Sequence, residues 1–60
     1  MKLVKFETVG RGSIAYVNAD LVTFFHESID YQNAVLITFA SEGYITVKGT
    51  IEEVADKLKG

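Results

Sequence analysis

His26 is the single histidine of this chain, and histidine is the residue type suited to proton transfer near neutral pH. A catalytic reading pairs it with Ser28 or Asp30, but no third group is identifiable to complete a site. A structural, satisfied or half-exposed histidine is therefore favoured. A modest role remains as an expectation: His26 sits at the rim of an association surface, where its protonation weakens assembly. The carboxylates Glu7, Asp20, Glu27, Asp30, Glu42, Glu52, Glu53 and Asp56 are dispersed along the chain. Paired acid chemistry needs two carboxyls at a controlled separation in a cleft, and no such pair stands out. Asp30-Tyr31-Gln32-Asn33 lacks the alternating oxygen ligands and closing glutamate of a calcium loop. With no cysteine and one histidine, neither a disulfide nor a metal site is expected, and no cofactor is implied.

Gly10-Arg11-Gly12-Ser13 superficially suggests a phosphate cradle. A P-loop leads straight into a helix with a Lys-Ser/Thr pair, whereas the residues that follow here alternate as a strand. A hairpin turn is the better reading. Gly49-Thr50 precedes a helix start that could hold an anion, but Glu52 and Glu53 already bring negative charge there. Tyr16, Tyr31 and Tyr44 could stack on unpaired bases. Such stacking needs a basic groove, and the six Lys and Arg residues are scattered in a chain of net charge −2. Aromatics with sparse charge suit a protein interface better than nucleic acid.

The elements that must position these residues read as five strands and a helix. Leu3 to Thr8 alternates Val4 and Phe6 against Lys5 and Glu7. After a turn at Val9-Gly10-Arg11-Gly12, Ser13 to Val17 alternates Ile14 and Tyr16 against Ala15 and Val17. Asn18-Ala19-Asp20 is a polar break, read as a single helical turn capped by Asn18. Leu21 to Glu27 is a third strand, and Ser28 to Asn33 is a connection. Ala34 to Ala40 is apolar on both faces, which suggests a central position. Ser41-Glu42-Gly43 is a tight hairpin loop before Tyr44 to Lys48, whose Ile45 and Val47 face the core. Thr50-Ile51-Glu52-Glu53 matches a capping box opening the terminal helix. Ile51, Val54 and Leu58 form its apolar stripe, and Glu53 and Lys57 are spaced as an i,i+4 pair.

Leu21-Val22-Thr23-Phe24-Phe25 is apolar on both sides of an extended strand. Strict alternation puts Leu21 and Phe25 on one face and Val22, Phe24 and His26 on the other. Sixty residues make one domain, 1–60, near the lower limit of independent folding. That length supplies one cover for a sheet rather than two. Lacking disulfides and metals, the chain is expected to bury its second face by oligomerising. No apolar run approaches the length of a bilayer span, so no membrane partner is expected. Met1-Lys2-Leu3-Val4 begins like a signal peptide until Lys5 and Glu7 interrupt it, and a cytoplasmic location is the default.

From Ile14 onward the pattern resembles the small FlbD/SwrD-like flagellar and swarming-motility proteins, and similar short proteins of bacteria and their phages. The residues that carry the resemblance are Tyr16-Val17-Asn18-Ala19-Asp20-Leu21-Val22, Val35-Leu36-Ile37, Gly43, and Val47 with Thr50-Ile51-Glu52-Glu53-Val54. The segment from His26 to Asn33 is longer than that pattern, and the aromatic content is higher. The resemblance implies a non-enzymatic accessory role in motility. The same scaffold would serve a phage protein that sequesters a bacterial defence component, since fold and function separate easily.

The expected protein is an α+β domain: a small, mostly antiparallel sheet of about five strands with one short C-terminal helix. It is read as a non-catalytic interaction module that forms a homodimer or small ring and binds one further protein. Its interface is expected at Tyr16, Leu21, Val22, Phe24, Phe25 and His26, with Phe24 at the association surface. An inhibitor of a bacterial defence protein and a nucleic-acid-binding regulator are the alternatives.

Overall fold

Alternation with a period of two writes the first hairpin. In β1 (Leu3–Glu7), Val4 and Phe6 turn inward while Leu3, Lys5 and Glu7 stay in water. β1 pairs antiparallel with β2 (Ile14–Asn18), setting Val4 opposite Val17 and Phe6 opposite Ala15. Gly10 and Gly12 hold φ of 95° and 71°, a region that favours glycine, and the Thr8 N–H donates to Ser13 O at 2.7 Å to close the turn. The computed structural model describes residues 1–10 and 12–60. Arg11, expected in this turn, lies outside the described residues.

Asn18 ends β2 and caps a 3-10 turn at Ala19–Leu21, its Oδ1 accepting from the Asp20 N–H at 3.0 Å. The chain then builds a second sheet of β3 (Val22–Glu27), β4 (Ala34–Phe39) and β5 (Tyr44–Lys48), in that order. The doubly apolar β4 is its central strand, as its composition indicates. Between β4 and β5, Glu42 takes a left-handed φ of 72° and its N–H donates to Phe39 O at 2.9 Å. Between β3 and β4, Ser28 Oγ accepts from the N–H groups of Asp30 and Tyr31, both at 3.2 Å.

The terminal helix α1 (Ile51–Lys59) starts on the expected capping box. Glu53 N–H donates to Thr50 Oγ1 at 3.2 Å, and Thr50 N–H donates to Glu53 Oε1 at 2.8 Å. Nine residues make a marginal helix in isolation, so docking must hold it. Val54 is fully buried, with Ile51 and Leu58 packed against the core beside it. The i,i+4 pairing of Glu53 with Lys57 is not what forms. Glu53 is committed to the cap, and Lys57 Nζ instead donates to Lys5 O at 3.0 Å and lies 5.1 Å from the Phe6 ring centroid. Lys2 Nζ, just before β1, donates to Leu58 O at 2.8 Å, a second tie to the helix.

The described residues thus form an α+β fold with five antiparallel strands, one C-terminal helix, and the strands divided between two sheets. The division has a physical reason. Folding the β1–β2 hairpin over the larger sheet buries Phe6 and Val17 with Val35, Ile37, Val47 and Val54 in one cluster. One open sheet of five strands would leave those side chains to a single short helix. The sheets meet at a bridge between Thr8 and Val47, beside a 3.1 Å bond from Val9 N–H to Thr46 O. An exposed pair, Glu7 Oε2 and Lys48 Nζ at 3.2 Å, spans the same junction.

Strict alternation along β3 does not survive folding. Val22 pairs with Phe39 and Phe24 with Thr38, so two steps on β3 match one step on β4, and Thr23 bulges. The extra residue flips the facing of everything beyond it. Val22 and Phe25, three apart, both pack against the core, while Leu21 and Phe24 are exposed. The expected pairings of Leu21 with Phe25 and of Val22 with Phe24 are therefore both broken.

Candidate protein interface

The bulge delivers Phe24 and His26 together to the outer face of the three-stranded sheet. Their rings stack, with centroids 6.1 Å apart and planes 19° from parallel. The register continues both positions across the sheet: Phe24 to Thr38 to Tyr44, and His26 to Leu36 to Thr46. Phe24 is 53% exposed and Tyr44 70%, with Thr38 between them, and Leu36, in the neighbouring row between His26 and Thr46, lies outside the core cluster. An aromatic and aliphatic sheet face thus stands open to solvent, while the fully buried Val35, Ile37 and Val47 of the same sheet belong to the opposite, inner face.

The six residues nominated from sequence fall in four places. Phe24 and His26 belong to this face. Val22 and Phe25 do not: Val22 packs against the core before the bulge, and the bulge turns Phe25 to the same side. Tyr16 is exposed on the outer face of β2, in the other sheet, beside Ile14 and opposite Lys5. Leu21 is exposed in the 3-10 turn that links the sheets. Leu36 was not among the six, although its place on the doubly apolar β4 showed that one face of that strand needed a second cover. Tyr44 was placed outside by alternation, and only the register sets it beside Thr38 and Phe24.

The chemistry-bearing side chains near this face are engaged locally. His26 Nδ1 lies 2.9 Å from Glu27 O, and Ser28 Oγ serves the turn of the 28–33 connection. A hollow of about 480 Å³ lies between that connection and the start of α1. Glu27, Asp30 and Glu52 line it, so it is unsuited to phosphate. Among the described residues, no group of three or more His, Asp or Glu side chains is placed to hold a metal ion. Lys2, Lys48 and Lys57 are tied at separate points, to Leu58 O, Glu7 and Lys5 O. Tyr16 sits on β2, Tyr31 in the 28–33 connection and Tyr44 on β5, and these lysines form no groove joining them. Among the described residues, no helix is long and apolar enough to cross a membrane.

Fold and face together define a small α+β domain with a two-sheet core and a solvent-exposed aromatic sheet surface. Comparison with protein-family models, curated proteins and solved structures found no match.

Proposed function

We propose that the chain is a non-catalytic protein-interaction module that acts as a homo-oligomer in the cytoplasm and binds one further protein. The observation that carries this reading is the outer face of β3–β4–β5, where Phe24 stacks on His26, Tyr44 lies across Thr38 from Phe24, and Leu36 pairs with His26. Aromatic side chains exposed on a rigid sheet contribute large contact area at little entropic cost, and such positions anchor protein interfaces. The scattered and locally tied lysines favour protein over nucleic acid as the partner. The resemblance to FlbD/SwrD-like proteins supports an accessory rather than enzymatic role.

Phe24→Asp tests the reading. Because Phe24 is half exposed, the variant is expected to keep the wild-type circular dichroism spectrum. Its charge cannot be desolvated in an apolar contact, so its sedimentation mass is expected to fall below that of the wild type at equal concentration. A wild type that sediments as a single chain up to high micromolar concentration overturns the proposal. So does a folded variant that assembles like the wild type.

A further inference from the structure

A sheet edge presents a row of backbone donors and acceptors, and β2 and β3 each have a hydrogen-bonded neighbour on one side only. The β3 edge is blunted twice. Thr23 bulges out of its ladder, and Glu27 O meets the ring nitrogen of His26 at 2.9 Å. The β2 edge carries no such device. Its register with β1 runs unbroken from Leu3 opposite Asn18 to Glu7 opposite Ile14. The bonds that flank it, Ala19 N–H to Lys2 O at 2.8 Å and Thr8 N–H to Ser13 O at 2.7 Å, both fall on its odd-numbered residues. Alternation in an antiparallel ladder then turns the N–H and C=O of Ile14 and Tyr16 away from β1. Protected edges usually show a lysine, a proline, an inward charge or a bulge. Ile14-Ala15-Tyr16-Val17-Asn18 shows none of them.

We propose that β2 pairs antiparallel with β2 of a second copy about an axis at Tyr16, joining two β1–β2 hairpins into one four-stranded sheet. A second copy is the occupant because the strand complements itself. Pairing about Tyr16 sets the exposed tyrosines against each other, Ile14 against Asn18, and Ala15 against Val17. A two-fold axis brings like residues together, which penalises a charge near it, and this strand has no charge to penalise. The inference rests on the self-association reading and adds a contact separate from the Phe24 face, which belongs to the other sheet.

Amide hydrogen exchange at low and high protein concentration tests it, together with the sedimentation mass of Tyr16→Glu. The Ile14 and Tyr16 amides are expected to gain about tenfold or more in protection at high concentration, since pairing alone gives them an acceptor. Tyr16→Glu, at a side chain 65% exposed and opposite Lys5, is expected to fold normally, place like charges across the axis and lower the mass. The proposal is overturned if the wild type assembles while both amides exchange equally fast at the two concentrations, or if Tyr16→Glu leaves the mass unchanged. A wild type that stays a single chain removes self-association altogether, and with it the role given to Phe24.

Discussion

Gly49 holds φ at 131°, and its N–H donates to Asn33 O at 2.7 Å, tying the 28–33 connection to the start of the helix. A side chain there would be strained whatever its surroundings, and an added Cβ would stand 3.3 Å from Glu53 Oε1, the carboxylate that closes the cap. Gly49→Ala is expected to destabilise the fold by roughly 1–3 kcal/mol, read as a lower urea midpoint with unchanged slope. At the same scale, the face of a single β3 residue follows from its distance from the bulge. Val22 and Phe25 pack against the core and Phe24 is half exposed, although all three are apolar. The types of these residues were plain in the sequence. Their facing was not, because Thr23 is an ordinary strand residue and nothing in its type announces a bulge.

The helix shows the opposite case, an element legible almost to the residue. Thr50 and Glu53 bind each other's backbone N–H groups, and the stripe of Ile51, Val54 and Leu58 docks as its spacing requires. Thr50→Ala removes an acceptor from the first turn and is expected to cost about 1 kcal/mol, measured by chemical denaturation. Local chemistry wrote this element because a cap and a 3.6-residue period both act within a few positions of one another. The fate of Lys57 was not local. Its spacing from Glu53 suited a helical ion pair, yet the cap holds Glu53 and β1 offers Lys57 both a carbonyl and the Phe6 ring. A competing partner from across the fold decides such a side chain.

At the scale of the whole molecule, Val47 joins the two sheets. It is fully buried, pairs with Val35 on β4, and bridges Thr8 beyond the end of β1. Val47→Ala is expected to cost roughly 2 kcal/mol through lost burial and the cavity left behind. Because Phe6, Val17, Val35, Ile37 and Val54 share that one cluster, the loss should appear in a single transition, with tyrosine fluorescence and far-UV circular dichroism coincident. Separate transitions would show the β1–β2 hairpin melting by itself. The sequence alone determined the strand count, the central place of β4, the turns and the capped helix, since alternation, glycine φ and capping act between near neighbours. It also marked the Leu21–Phe25 segment as having more apolar surface than one face can bury. Only the tertiary structure decided that the strands split into two sheets, that a bulge at Thr23 turns Phe24 outward and Phe25 inward, and that Tyr16 and Phe24 belong to different surfaces. Those outcomes depend on how residues far apart in the chain share one small core, and no local pattern carries that information.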